Sequence, residues 1–142
     1  MSKRSAQYLD ALSDVPLFSA LSRRDLGLIA RRGEEIEVEA GKRLVDQGET
    51  GAEFFVIISG KAKVTRNGRR IAGLKRGDAF GELSLLDRGP RNATVTAETD
   101  MELLVLGQRE FSALIDEAPG FSRKLLTGMA RRLREADARS VQ

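Results

Sequence analysis

The sequence predicts an α+β protein: an antiparallel β-barrel or jelly roll with an N-terminal helix, a short helix set into the sheet region and two C-terminal helices. Three observations carry this. Apolar residues recur at helical spacing on both flanks. The stretch from Glu34 to Gly107 reads as short strands divided by glycines. Between Val64 and Ile71 lies Asn67-Gly68, the pair favoured by a type I′ hairpin turn because both central residues need positive φ. The expected organisation is one domain over 1–142, with N-terminal helices at about 5–32, the β-barrel at about 34–107 and C-terminal helices at about 108–139.

Taken in order, a helix from about Ser22 to Arg32 follows from Leu21, Leu26, Ile29 and Ala30 at helical spacing. Ser22 with Asp25 three residues later supplies a capping-box start. A shorter helix is expected before Pro16. In the middle, Ile36 and Val38 alternate with Glu35, Glu37 and Glu39, and Phe54 to Ile58 is an apolar run ending at Ser59-Gly60. Two further strands are expected at Ala93–Ala97 and Met101–Leu106. Ten of the 14 glycines fall at turns of this region, among them Gly41, Gly48, Gly51, Gly60, Gly77 and Gly81, and act as punctuation. Past Gly107 the helical period returns: Phe111, Leu114 and Ile115 mark one helix. Phe121, Leu125, Leu126, Met129, Ala130 and Leu133 mark a longer one, with Pro119 suited to its first turn.

Composition narrows the chemistry. The 142 residues contain no His and no Cys, which removes a Ser-His-Asp triad, a thiolate nucleophile and a zinc site of ordinary ligand type. The expectation is a protein that is not an enzyme and carries no metal or cofactor. No run approaches 18 apolar residues and the first ten hold a polar run in place of a signal-peptide apolar segment, so a soluble, cytoplasmic protein without membrane attachment is expected. The net charge of +3 divides into +3 over 1–33, −4 over 34–120 and +4 over 121–142. Because the basic charges are spread through segments of helical period, a solvated face explains them better than nucleic-acid binding.

One stretch departs from the strand rhythm, from Phe80-Gly81-Glu82-Leu83-Ser84-Leu85-Leu86 through Gly89-Pro90-Arg91-Asn92-Ala93-Thr94-Val95. A strand ends at Gly81, a helical turn over Glu82 to Leu86 interrupts the sheet, and a strand resumes after Arg91. A helix start offers unpaired backbone N–H groups to an anion, and Arg91 beside Pro90 offers a bidentate clamp for phosphate or carboxylate. Glu82 would repel a phosphate unless it met another part of the ligand, so a ligand with a hydroxyl beside a phosphate would use both residues. Each also has an ordinary reading. Arg91 then lies on the surface, Glu82 is a first-turn acid favoured by the helix dipole, and Gly81 is a turn glycine.

Together these residues resemble the phosphate-binding cassette of the cyclic nucleotide-binding domain family, whose pattern is close to F-G-E-[LI]-[AGS]-L followed by P-R-x-A-[ST]-V. The resemblance extends to Ala40-Gly41, Gln47-Gly48-Glu49, Phe55-Val56-Ile57 with Ser59-Gly60, and Leu74 with Gly77-Asp78, and covers roughly 15–135. It implies a regulatory, signal-transducing domain with cAMP as ligand and cGMP as the alternative. By the same resemblance, Arg91 pairs with the phosphate oxygens, helped by the backbone N–H groups of Ser84 and Asn92. Glu82 accepts the ribose 2′-hydroxyl with the Gly81 N–H beside it, and Leu83, Val64, Ile71, Leu74 and Ala93 wall the base. Asn92 departs from the Ala, Ser or Thr common at its position and leaves the choice of base open.

The resemblance also implies that the final helix swings over the base as a lid, with Met129, Arg132 and Leu133 as candidates. The same stripe reads equally as core or as a homodimer seam. Fewer than ten residues follow Leu133, too few for a helix-turn-helix domain, so direct DNA binding is not expected and output passes to an effector protein. Met1 and the polar ending Ser140-Val141-Gln142 favour a complete chain. The competing readings are a module of the same fold that binds no nucleotide, and a regulatory fragment of a larger channel, kinase subunit or transcription factor.

Overall fold

The computed structural model describes residues 3–81, 89–118 and 120–140. The chain begins with α1 (Lys3–Ser13), a 3-10 turn at Pro16–Phe18 and α2 (Arg23–Arg32). The helix before Pro16 has 11 residues against 10 in α2, so it is not the shorter of the two as the sequence suggested. It buries Tyr8, Leu9, Ala11 and Leu12 at i, i+1, i+3 and i+4, which gives one helical face a continuous apolar cover. α2 starts on the expected capping box: the Ser22 hydroxyl accepts the Asp25 N–H at 3.1 Å and Asp25 Oδ2 accepts the Ser22 N–H at 3.0 Å.

Among the described residues eight strands follow: β1 (Glu34–Val38), β2 (Arg43–Val45), β3 (Glu53–Ser59), β4 (Ala62–Arg66), β5 (Arg69–Leu74), β6 (Ala79–Phe80), β7 (Thr94–Ala97) and β8 (Met101–Gly107). They form two antiparallel sheets of four strands, ordered β1-β8-β3-β6 and β2-β7-β4-β5. This is the jelly-roll arrangement of the expected α+β class, built as two facing sheets and not as a hydrogen-bonded closed barrel. The β4–β5 hairpin turns at Asn67 (φ 53°) and Gly68 (φ 80°), as the dipeptide predicted. The chain ends with α3 (Gln108–Glu117) and α4 (Phe121–Ser140). Pro119, expected in the first turn of that last helix, lies outside the described residues, as does the expected cassette helix over Glu82 to Leu86.

The apolar run in β3 has a simple cause: its sheet is covered on both faces, so alternation sends apolar residues both ways. Phe54, Val56 and Ile58 join α1, α2, α3, α4 and the 3-10 turn in one core, together with Leu104 and Leu106 of β8. Phe55 and Ile57, with Leu103 and Val105, join Val95 and Ala97 of the second sheet in another. The result is three layers, helices on one sheet and that sheet on a second. β1 and β5 lie at sheet edges and expose Glu34, Glu35 and Glu37 and Arg69 and Arg70 respectively.

α4 lies against the 3-10 turn. A Cβ on Gly128 would overlap the Leu17 carbonyl oxygen and come within 2.9 Å of its carbon, so glycine permits a backbone-to-backbone approach here. Lys124 Nζ donates to Asp25 Oδ2 at 2.7 Å and Arg131 Nη1 donates to Ser19 Oγ at 3.2 Å. Gly128 therefore marks a docking point of α4.

Candidate functional site

The site is assembled where β6 ends and β7 is about to begin. The Phe80 ring stacks on Phe55, with centroids 4.7 Å apart and planes at 10°, and this fixes the end of β6 in the inter-sheet core. Gly81 follows at φ +86°, a left-handed conformation that glycine adopts without steric cost. From the other direction, Pro90 bridges Thr50 in an antiparallel pair. The Gly48 N–H donates to the Arg91 carbonyl at 2.7 Å, and the Arg91 N–H donates to the Glu49 carbonyl at 2.9 Å. These bonds pin the Arg91 backbone to the loop between β2 and β3.

The Arg91 side chain then turns back over that loop. Its Nη2 donates to the Glu53 carbonyl at 3.0 Å, the only acceptor for the guanidinium among the described residues. On one side it meets Gly51, where a Cβ would sit 2.5 Å from Arg91 Cζ, and on the other it meets Gly81, where a Cβ would sit 2.5 Å from Nη1. Burial pulls the Arg91 pKa below its ordinary value and the Glu53 carboxylate pulls it back part of the way. An arginine so placed stays charged. It is a half-buried cation with fork donors to spare, the arrangement that recognises a phosphodiester or carboxylate.

Of the other residues singled out in the sequence, Glu82, Leu83 and Ser84 lie outside the described residues. Asn92 is exposed, and its carbonyl accepts Arg66 Nε–H at 2.9 Å. Val64 lies opposite Ala72, and Leu74 opposite Ala62, so Val64 and Leu74 share one face of the second sheet and pack on its core. Ala93, half-buried, precedes β7 in the same sheet. Ile71 has no cross-strand partner: it sits at a register shift between the Val64–Ala72 and Thr65–Arg70 pairs and is 49% exposed.

The lid candidates separate as well. Met129 packs on the helical core. Arg132 lines a cleft of about 300 Å³ together with Val15, Phe54, Leu74 and Ala79, which brings it to the wall residue Leu74. Leu133 is 65% exposed. The sequence reading missed two contributors, Gly51 and the Glu53 carbonyl. Gly51 was visible only as one more turn glycine, and a main-chain acceptor has no signature in sequence. The Gln47 side chain exchanges two hydrogen bonds of 2.8 Å with Asn67, which ties the hairpin turn to the loop under Arg91.

Among the described residues there is no group of acidic residues arranged to hold a metal, and no helix is long and apolar enough to cross a membrane. The family model described as cyclic nucleotide-binding domain matches residues 35–118. The chain is 38% identical over 128 residues to a cAMP-dependent protein kinase regulatory subunit of Mycosarcoma maydis, a match over 84% of this chain and 24% of that protein. It thus spans about a quarter of that relative's length. Its structure is similar to the N-terminal domain of a transcriptional regulator from Streptomyces coelicolor A3(2), with a TM-score of 0.83 and 34% identity over 91% of this chain and 96% of that one. It is also similar to the regulatory domain of Toxoplasma gondii PKA crystallised with cAMP, with a TM-score of 0.73 and 31% identity over 80% of this chain and 45% of that one.

Proposed function

The chain belongs to the cyclic nucleotide-binding domain family, and from that premise we propose that it binds cAMP at Arg91 and passes the signal to a partner protein through α4. The observation that carries this reading is the Arg91 guanidinium, held by the Glu53 carbonyl between Gly51 and Gly81 with its other donors available to an anion. A cyclic nucleotide presents one phosphodiester charge, and the fork of Arg91 matches it. Glu82, at the position where the family resemblance assigns the ribose 2′-hydroxyl, completes the site with the Gly81 N–H and the N–H groups of Ser84 and Asn92. Val64, Leu74, Leu83 and Ala93 supply apolar surface to the sugar and base.

Similarity to a cAMP-dependent protein kinase regulatory subunit and to a regulatory domain crystallised with cAMP favours cAMP over cGMP. Its energetics are reasonable: micromolar affinity is about −8.2 kcal/mol. Hydrogen bonds to charged groups, at about 1.5–3 kcal/mol each, together with burial of a purine reach that after the cost of association.

In this reading α4 is the moving part. Its first half is anchored by Phe121 and Leu125 in the helical core, while towards its C-terminal half the contacts to the 3-10 turn and its flank are the Gly128 approach to Leu17 and the Arg131 bond to Ser19. A ligand that offers Arg132 and Leu133 a base to cover competes with that docking, and shifts the population by its differential affinity for the two positions. The effector is a protein that reads the position of α4.

The test is calorimetric titration with cAMP and with cGMP, on the wild type and on Arg91→Ala, with proton spectra of the Met129 methyl followed in parallel. The expected result is tighter binding of cAMP, at least tenfold weaker binding in Arg91→Ala, and a ligand-dependent shift of the Met129 signal. Absence of binding of either nucleotide at millimolar concentration overturns the reading in favour of a module that keeps the fold and binds no nucleotide.

A further inference from the structure

The glycines around Arg91 are not equivalent. Gly48 and Gly81 have positive φ, +86° in both, and their backbone conformation alone accounts for glycine. Gly51 is not among the residues of positive φ, so any L-residue has access to its backbone conformation. What excludes a side chain at Gly51 is space: the nearest neighbours of a Cβ built there are all atoms of the Arg91 guanidinium and its Nε, with Cζ at 2.5 Å.

The Arg91 main chain is not free to retreat from such a side chain. It is tied to the same loop by the Gly48-to-Arg91 and Arg91-to-Glu49 hydrogen bonds and by the Thr50–Pro90 bridge. Only the guanidinium end has freedom to swing, and swinging breaks its bond to the Glu53 carbonyl.

We infer that Gly51 is a positioning residue for the anion site, leaving open the surface opposite Gly81 against which the Arg91 guanidinium lies, so that the Glu53 carbonyl can aim its fork at the ligand phosphate. The inference rests on the cAMP-binding reading for its ligand, but its geometry belongs to the chain alone. Gly51 touches no ligand in this account; it acts through Arg91. The loop from Gln47 to Glu53 is then a template for one side chain as well as a connection between strands.

The experiment uses Gly51→Ala, Arg91→Ala and the double variant. Each is titrated with cAMP, melted without ligand, and, where Arg91 is retained, examined for the Arg91 Nε–H resonance in the ligand-free protein. Gly51→Ala is expected to weaken cAMP binding at least tenfold, and less than twofold when Arg91 is already Ala. The ligand-free Arg91 Nε–H resonance is expected to shift. Wild-type affinity in Gly51→Ala overturns the inference, and so does an equal loss in both backgrounds, because the effect then does not run through Arg91. Should Gly51→Ala fail to fold, the double variant decides the matter: recovery of folding on removing the Arg91 side chain supports the inference, and continued failure overturns it. If the wild type binds no cAMP, the ligand reading falls, while an unmoved Nε–H resonance in Gly51→Ala remains the separate result that overturns the positioning role.

Discussion

The Lys124 ammonium in α4 and the Ser22 backbone N–H at the start of α2 share one acceptor, Oδ2 of Asp25, at 2.7 Å and 3.0 Å. One carboxylate oxygen thus caps a helix near the N-terminus and anchors another that lies 99 residues away in sequence. Asp25 is 8% exposed and is the buried charged residue among those described, so its partners decide whether that burial is tolerable.

Replacing Lys124 by Met keeps the aliphatic stem and removes the donor. The Ser22 bonds remain, and Lys124 is itself partly exposed, so the expected loss is about 1–2 kcal/mol of unfolding free energy. Urea titration of the two proteins measures it. An unchanged midpoint would show that the ion pair does not hold α4.

The same carboxylate predicts a pH dependence. Burial pushes the Asp25 pKa up, but the hydrogen bonds from Lys124 and from the Ser22 backbone and hydroxyl outweigh it, and the net position is below the ordinary value. The folded state therefore binds this proton less readily than the unfolded chain. Its contribution to stability is complete above the unfolded value of about 3.9 and is lost as pH falls through the lower folded value. Stability followed from about pH 5 downward should fall less steeply in Asp25→Asn than in the wild type. Parallel curves would refute the assignment.

Gly128→Ala sets two effects of opposite sign against each other. Helix propensity favours Ala by about 1 kcal/mol, whereas the new Cβ would overlap the backbone of Leu17. Overpacking against a fixed backbone costs about 1–3 kcal/mol, so the variant is expected to be less stable and to show weaker protection of the 3-10 turn in hydrogen exchange. A net gain in melting temperature would mean that α4 does not dock at this point.

Glu37 of β1 lies directly opposite Glu102 of β8, a like-charge pair across the strands. Such pairs are unfavourable, and an opposite-charge pair in the same place is worth roughly 0.2–1 kcal/mol. Glu37→Lys is expected to raise the thermal midpoint at low salt, with the gain shrinking as salt is added. A gain independent of salt would point to a cause other than charge.

Local chemistry made much of the fold legible in advance. The Ser22–Asp25 capping box, the Asn67-Gly68 turn and the alternation in β1 are each decided within a few residues, and each is where the sequence put it. The apolar run in β3 signalled a strand, but its two-sided burial depends on helices drawn from both ends of the chain. For the same reason it takes the path of the 3-10 turn to give Gly128 its purpose, a close approach to the Leu17 backbone.

The site divides in the same way. Arg91 taken alone reads as a surface arginine, and it stands out in the sequence only through the combined run from Phe80 to Val95 and its family resemblance. Gly51 does not stand out, since nothing near it in sequence distinguishes a glycine needed for conformation from one needed for clearance. Ile71 looked like a companion of Leu74, but a register shift falls at Ile71 itself and interrupts the alternation between them.

The acidic edge at β1 has a consequence beyond the molecule's own interior. An exposed edge strand is a template on which a second copy can stack, yet here two such edges would meet glutamate to glutamate at Glu34, Glu35 and Glu37. Repulsion at that first contact resists fibrous self-assembly in concentrated solution. The protection is electrostatic and reaches only about 3 Å at 1 M ionic strength, so storage in high salt would remove the barrier that keeps neighbouring molecules apart.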